Sequence, residues 1–185
     1  LSIIISIYLK IKLKNKKINQ AVILAGGLGT RLGRVSKSIP KPLIKIHGIP
    51  FLHYLIADLK KNKISKILIL CGYKGDLIKK EFKNFKNVKV VIEKKPLGTF
   101  GSLIYYKKNC DDKFLFLNGD SYFNIIFLNK IIHYEKYDNV LFLTKNTNYK
   151  SNSLLSNLGL KSKKISFSKV EKKMYSGISI LSKNS

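Results

Sequence analysis

The chain has 185 residues, 45% of them apolar, which is enough for the core of one domain. Its formal net charge of +26 raises the possibility of a nucleic-acid partner. The charge is almost all lysine, however, and is scattered along the chain, so it argues against nucleic acid and is compatible with anionic substrates. Cys71 and Cys110 have no metal-binding or redox spacing, and a reduced cytoplasm fits them.

The N-terminal segment is apolar through Leu9, apart from two serines, and then alternates lysine with Ile and Leu up to Lys17. Its apolar run is too short to span a bilayer, and it lacks the basic start and cleavage site of a signal peptide. We therefore predict residues 1–19 to be an appendage or linker, and residues 20–185 to be the domain. We expect no stable membrane insertion, although a contact with a membrane surface stays open.

A short apolar run of strand type, residues 21–24, leads into a glycine-rich turn. Glycines allow a close approach to a ligand, exposed N–H groups can face an anion, and the Arg31 guanidinium can pair with phosphate. The dinucleotide fingerprint would need glycine in place of Leu32, and the Gly-Lys-Ser/Thr ending of a Walker A loop is absent. A phosphate-binding turn of another kind is therefore predicted; the alternative is a plain glycine turn with a surface arginine. The glycines are Gly26, Gly27 and Gly29.

The next segments predict alternating strands and helices. Pro40 and Pro42 fix an extended path that presents Lys41 outward, ahead of a short strand over 43–46. A helix begins at Pro50, and a second helix, capped by Asp76, lies between apolar strands over 67–70 and 88–92. This order predicts a parallel sheet with ligands at the carboxyl ends of its strands. The predicted inner faces of the two helices are Phe51, Leu52, Leu55, Ile56 and Leu59, and Leu77, Ile78, Phe82 and Phe85.

Two further loops follow predicted strands. In residues 93–99, Gly98 would bring backbone close to a ligand, and Thr99 would cap a helix with Phe100, Leu103 and Ile104 inward. A strand over 113–117 delivers Asn118-Gly119-Asp120. A carboxylate in that place can bind Mg²⁺, which takes one or two carboxylates and shares the rest of its shell with phosphate and water. The alternative is an aspartate in an ordinary turn.

Downstream, the pattern predicts a helix to about residue 137, a strand over 140–144, and loops with one strand in 145–163. The glycine turn, the Glu93-to-Thr99 segment and Asn118-Gly119-Asp120 together resemble the motifs of the sugar-phosphate nucleotidyltransferases, and the heptose and mannose 1-phosphate guanylyltransferases most. The resemblance extends over most of residues 20–182.

The resemblance implies a three-layer α/β/α, Rossmann-like fold with a predominantly parallel, twisted sheet. It also implies a cytoplasmic, Mg²⁺-dependent enzyme that transfers a nucleotidyl group from an NTP, GTP favoured, to a sugar 1-phosphate. The products would be pyrophosphate and an NDP-sugar for surface-polysaccharide synthesis. No oligomeric state is indicated.

The resemblance also implies roles for individual residues. Arg31, Lys41 and Asp120 would be catalytic, with Asp120 as the Mg²⁺ ligand. A segment similar to the family's F-x-E-K motif places Glu171 and Lys172 at the sugar phosphate, although Lys173 replaces the usual proline. The nucleotide would contact Ala25, Gly26, Gly27, Gly29, Thr30, Arg31 and Gly98.

The chain departs from the family pattern at two points. Phe100 stands where a small residue is usual, which leaves the sugar specificity open. The family's second metal-binding aspartate would lie on a later strand, and the chain stops at Ser185 without it. A chain cut short at its C terminus is one expectation; an inactive or regulatory nucleotide-binding relative is the alternative.

Overall fold

The computed structural model describes residues 4–9, 17–27, 29, 38–95, 97–123, 125–135, 139–145, 158–161, 164–167 and 173–183. Over these ranges the helices are α1 (Phe51–Lys61), α2 (Gly75–Phe82), α3 (Gly98–Tyr105) and α4 (Ile125–Ile132). Single 3₁₀ turns cover Lys41–Leu43 and Lys107–Asn109. The strands are β1 (Ile4–Leu9), β2 (Gln20–Leu24), β3 (Lys45–Ile46), β4 (Ile49–Pro50), β5 (Lys66–Cys71), β6 (Val88–Ile92), β7 (Lys113–Asn118), β8 (Asn139–Lys145), β9 (Leu158–Lys161), β10 (Lys164–Phe167) and β11 (Lys173–Ser182).

The main sheet is mostly parallel and runs in the order β1-β8-β11-β7-β2-β5-β6. Strand β2 is parallel to β5 and β7, and β5 is parallel to β6. Strand β11 is antiparallel to both neighbours, and β1 is antiparallel to β8. The predicted α/β class is confirmed. The helical crossovers between β2, β5 and β6 bring the carboxyl ends of these strands to one edge, where ligands bind in such sheets.

Alternating side chains of the central strands build two cores, one on each face of the sheet. Ala21 and Ile23 of β2 face a core shared with α1, α2 and α4, whereas Val22 faces a smaller core beside α3. Both faces of β2 are therefore buried, as its continuous apolar run predicts. Helices thus cover both faces of the sheet, which gives the predicted three-layer α/β/α arrangement. The buried helix residues of the larger core include Leu52, Leu55, Leu59, Ile78, Phe82, Leu128 and Ile131.

The local predictions failed where a turn decides the structure. The strand predicted over 43–46 is replaced by a 3₁₀ turn and the two-residue β3, because the Leu43 N–H donates to the Pro40 carbonyl at 2.8 Å. Asp76 is not the N-cap of α2, because the helix begins one residue earlier, at Gly75. The residue before the helix is Lys74, whose backbone is in the left-handed region at φ 53°. Thr99 likewise lies inside α3, which begins at Gly98.

Two predicted inward side chains lie at the surface, because short helices bury a narrow stripe. Leu77 is 41% exposed and Ile104 is 73% exposed. The neighbouring Ile78 is buried, and Leu103 packs on the smaller core.

The N-terminal segment predicted as an appendage or linker adds β1 to the edge of the sheet, where it pairs with β8. Ile18 is only 2% exposed and packs in the larger core, so the domain's packing begins slightly before residue 20. Among the described residues, no helix has the length and apolar character needed to cross a membrane.

Candidate functional site

Backbone hydrogen bonds join the ends of four strands at the carboxyl edge of the sheet. The Ala25 N–H donates to the Leu70 carbonyl at 2.7 Å, and the Gly119 N–H donates to the Leu24 carbonyl at 2.8 Å. On the other side, the Glu93 N–H donates to the Cys71 carbonyl at 2.7 Å. The loops after β2, β5, β6 and β7 are thus held side by side, as the sequence predicts.

The loops after β2, β5 and β6 enclose a cavity of about 500 Å³. A Cβ atom on Gly26 would lie 3.3 Å from the backbone nitrogen of Gly72, so two loops approach closely there. Gly98 has φ 71°, a conformation that favours glycine. The predicted residues Gly26, Gly27 and Gly98 therefore meet at one cavity. Its full lining is Leu24, Gly26, Gly27, Gly72, Tyr73, Glu93, Lys94, Lys95, Gly98 and Ser102.

Glu93 supplies a carboxylate to this cavity. Its Oε1 atom is buried and accepts no hydrogen bond within the described part of the chain. Its Oε2 atom lies 3.9 Å from the position of a Cβ added to Gly72. A buried acceptor that lacks a partner is costly, so this carboxylate suits a ligand that donates hydrogen bonds. Sequence reasoning did not select Glu93 as a site residue; its place directly after an apolar strand was the available signal.

Lys41 and Asp120 meet beside the glycine cavity. The Lys41 Nζ atom lies 2.6 Å from Asp120 Oδ2, and the two side chains are 37% and 40% exposed. Both line a smaller cavity of about 170 Å³ with Ile44, Ile46 and Phe51. The Gly119 bond to Leu24 places the Asp120 loop directly against the end of β2. Two residues predicted to be catalytic are therefore in contact.

The donor set at Asp120 fits a hard cation. Its carboxylate oxygen already contacts a cationic ammonium, and carboxylate oxygens are ligands that Mg²⁺ prefers. Within the described ranges, no group of three or more His, Cys, Asp or Glu residues could hold a metal. Asp120 is therefore the candidate protein ligand there, with phosphate and water left for the other positions.

The segment after β7 is anchored on α1 and in the core. The Tyr122 hydroxyl donates to Asp58 Oδ2 at 3.1 Å, and this hydrogen bond raises the pKa of Tyr122. Phe123 is 6% exposed and stacks on Phe127 at 5.8 Å between ring centroids. Neither Asp58 nor Tyr122 was predicted; the available signal was an aspartate next to the apolar face of α1.

Strand β11 approaches the same segment at a glycine. Gly177 has φ 87°, and a Cβ atom there would lie 2.8 Å from Ser121 Oγ and 3.2 Å from Asn118 Nδ2. The register of β11 against β8 shifts between Tyr175 and Ser179, around this point. The glycine of the predicted Ser-Gly-Ile strand therefore packs next to the Asp120 loop.

Cys71 lies beneath the site as a core thiol. Burial raises its pKa to about 12, with Glu93 and then Asp76 adding to the effect. A Cβ atom on Gly75 would lie 2.9 Å from its sulfur, so the thiol is tightly enclosed. It therefore stays protonated at neutral pH and does not serve as a nucleophile.

Some predicted site residues cannot be placed. Thr30, Arg31, Glu171 and Lys172 lie outside the described residues, as does the side chain of Phe100. Ala25 lies at the carboxyl end of β2, and Gly29 has φ 63°.

The sheet with a glycine-lined cavity and a Lys–Asp contact at its carboxyl edge defines an α/β protein with a candidate ligand site at that edge. Comparison with known proteins identifies the family. The family model described as nucleotidyl transferase matches residues 20–153, and the chain belongs to that family.

Curated relatives include two guanylyltransferases. D-glycero-alpha-D-manno-heptose 1-phosphate guanylyltransferase of Campylobacter jejuni is 43% identical over 109 residues, covering 57% of this chain and 49% of the relative. The protein of the same name from Aneurinibacillus thermoaerophilus is 37% identical over 108 residues, covering 56% and 47%. The chain thus spans about half the length of these relatives.

Solved structures agree on the fold. HddC from Yersinia pseudotuberculosis, complexed with GMP-PN, superposes with a TM-score of 0.66 at 29% identity, covering 90% of this chain and 78% of that one. The inositol-1-phosphate CTP transferase from T. maritima gives a TM-score of 0.74 at 21% identity, covering 91% and 72%. The second likeness supports the fold alone.

Proposed function

We propose that this protein transfers a nucleotidyl group from GTP to a heptose or mannose type of sugar 1-phosphate, making an NDP-sugar for surface polysaccharides. The observation that carries the proposal is the 2.6 Å contact of Lys41 with Asp120 beside the glycine-lined cavity. This contact brings a cation that could bind phosphate next to an anion that could bind a metal ion. Both lie where the triphosphate of a nucleotide in the cavity would end. The names of the guanylyltransferase relatives support the same chemistry and the choice of substrates.

The reaction needs no protein nucleophile. An oxygen of the sugar phosphate attacks the α-phosphorus of the triphosphate, and a new P–O bond forms. The bond from the α-phosphorus to the bridging oxygen breaks, and its electron pair leaves with pyrophosphate. Because a phosphate monoester dianion is already nucleophilic, catalysis depends on positioning and on neutralising the charge of the phosphates.

Each named residue has a part in that positioning. The backbone N–H groups of Ala25, Gly26 and Gly27 and the guanidinium of Arg31 would hold the β- and γ-phosphates. Lys41 would sit at the reacting phosphates. Lys172, with Glu171 beside it, would hold the sugar phosphate. The remaining contacts to the nucleotide would come from Gly29, Thr30 and Gly98.

Mg²⁺ belongs to the proposal as the cofactor that Asp120 would hold. When bound, it would supply a Lewis acid that offsets negative charge on the phosphates. The competing ammonium of Lys41 would then be free to turn toward the phosphates. We also propose a cytoplasmic location, where NTPs and protonated thiols such as Cys71 occur together.

The preference for GTP is supported by Glu93. A carboxylate offers two acceptor oxygens, and the Watson–Crick edge of guanine presents two neighbouring donors, N1–H and the N2 amine. The same edge of adenine, cytosine or uracil presents one hydrogen-bond donor group, and its neighbour is an acceptor. Guanine would therefore be the base whose edge best matches the Glu93 carboxylate that lines the cavity.

The test is pyrophosphate release measured over a panel of NTPs and sugar 1-phosphates with Mg²⁺. We expect release that requires both substrates and is fastest with GTP. Asp120→Asn is expected to lower the rate about a hundredfold or more, because charge stabilisation at the phosphates is lost. Glu81→Gln, a change in the remote hydrogen bond with His53, is the matched control and should leave the rate unchanged.

Two outcomes would contradict the proposal. If no pair of substrates reacts while GTP still binds, the protein is a nucleotide-binding relative without turnover. If Asp120→Asn keeps full activity, Asp120 is not the metal ligand.

A further inference from the structure

We infer that Asp58, acting through Tyr122, is a positioning residue that sets Asp120 against Lys41. The inference rests on the proposed function, since it concerns the same reaction. Asp58 lies on α1 and, in the described part of the chain, makes no hydrogen bond or ion pair with Lys41 or Asp120. Its effect would be exerted through the segment that follows β7.

That segment is fixed on both sides of Asp120. On one side, the Gly119 N–H donates to the Leu24 carbonyl at 2.8 Å, which ties it to β2. On the other side, the Tyr122 hydroxyl donates to Asp58 Oδ2 at 3.1 Å, which ties it to α1. Asp120 lies between the two ties with a side chain that is 40% exposed. Its position therefore depends on both neighbours.

Helix α1 also holds the segment that carries Lys41. The Phe51 N–H, at the start of α1, donates to the Ile44 carbonyl at 2.9 Å, and Leu43 packs in the core beside the helix. Phe51 itself lines the small cavity with Lys41 and Asp120. Phe51 and Asp58 are seven positions apart, so they lie on the same face of α1. One helix face thus holds both halves of the ion pair.

The burial of Asp58 argues that its bond to Tyr122 matters. The residue is 9% exposed, and a buried carboxylate is costly unless it is bonded or paired. Its partners are the Tyr122 hydroxyl and, more distantly, Lys61 Nζ at 3.7 Å from Oδ1. An apolar residue would fill this place on α1 without that cost. The carboxylate makes a hydrogen bond that joins α1 to the Asp120 segment.

The test breaks the bond from either end, with Tyr122→Phe, Asp58→Ala and the double variant. We expect each to raise the Mg²⁺ concentration for half-maximal activity and to lower kcat by about tenfold, as loss of an outer contact to a metal ligand does. The KM for GTP should change less than twofold, because the glycine cavity is untouched. Tyr105→Phe, which removes an exposed phenol on α3, is the matched control.

A second readout does not need turnover. Binding of Mn²⁺ with a non-hydrolysable GTP analogue, followed by electron paramagnetic resonance, should weaken about tenfold in Tyr122→Phe and stay unchanged in Tyr105→Phe. The double variant should be no worse than the poorer single variant, because both changes remove the same bond.

The outcomes separate this inference from the proposed function. If the wild-type protein releases no pyrophosphate, the proposed function fails, and Mn²⁺ binding alone decides the role of Asp58. If the wild type is active while Tyr122→Phe matches Tyr105→Phe in kcat, Mg²⁺ dependence and Mn²⁺ affinity, the inference is wrong. Equal effects on GTP binding and kcat would point to a merely structural role and would also overturn it.

Discussion

At the scale of single residues, Glu93 has the most specific chemistry in the cavity. Its buried Oε1 atom accepts no hydrogen bond within the described residues, while its backbone N–H is fixed to the Cys71 carbonyl. The backbone of Glu93 is thus fixed at the end of β6, and its side chain lines the cavity. This combination makes it the residue through which a base would be selected.

Changing Glu93→Gln should reduce the preference for GTP over UTP by about tenfold or more, since a bidentate contact is worth about 1–3 kcal/mol of discrimination. The amide keeps the shape of the side chain but offers only one acceptor oxygen. The measurement is kcat/KM for both nucleotides at saturating sugar 1-phosphate. Unchanged selectivity, with the melting temperature also unchanged, would show that Glu93 does not contact the base.

The sequence could single out some candidate residues and not others for a physical reason. Lys41 and Asp120 stand out locally, one between two prolines and the other after a strand and a glycine. The bond between Tyr122 and Asp58 joins residues 64 positions apart, and no local pattern contains it. Side chains that act through a distant partner become visible only when the chain is folded.

At the scale of elements, the strands that carry the site were predicted well and the helix starts were not. Strand β5 is covered on both faces, so its apolar run marks it directly. Helix starts depend on the backbone of one residue, such as Lys74 at φ 53° before α2. A polar side chain near the start, such as Asp76, is a weaker signal than that backbone conformation.

The junction of β7 with β2 is expected to tolerate no added side chain. A Cβ atom on Gly119 would lie 3.0 Å from the Leu24 carbonyl oxygen and 3.2 Å from Ile23 Cγ2. Gly119→Ala should therefore lower the free energy of unfolding by about 1–3 kcal/mol, as overpacking does. Chemical denaturation monitored by circular dichroism would measure this change in the free energy of unfolding.

Gly27→Ala is the control for that experiment. A Cβ atom on Gly27 meets no described atom within 4 Å, and the residue is exposed. Its effect on stability should stay within about 0.5 kcal/mol. Equal stability of the two variants would show that the β7–β2 junction is not tightly packed.

At the scale of the whole molecule, two larger cavities lie in different parts of the fold. The cavity of about 500 Å³ lies at the carboxyl edge of the parallel strands. A second cavity, of about 320 Å³, lies under α3 and includes Leu103, Phe114, Asn139 and Lys183. The topology favours the first as the nucleotide site, because the loops after three parallel strands, β2, β5 and β6, converge there.

The fold class followed from the order of strands and helices, whereas the antiparallel β11 did not. Its place between β7 and β8 depends on pairing between residues far apart, such as Ile178 with Leu117. Gly177, with φ 87°, lets this strand pack against the Asp120 segment. The side of the site that β11 forms is thus a property of the assembled sheet.

The most direct test of the central claim is hydrogen exchange measured by mass spectrometry with and without a non-hydrolysable GTP analogue and Mg²⁺. The account predicts slower exchange in the loops after β2, β5 and β6, which surround Gly26, Gly72 and Gly98. Exchange around Asn139 and Lys183, at the second cavity, should not change. Protection confined to that second cavity, with none at the glycine loops, would contradict the account.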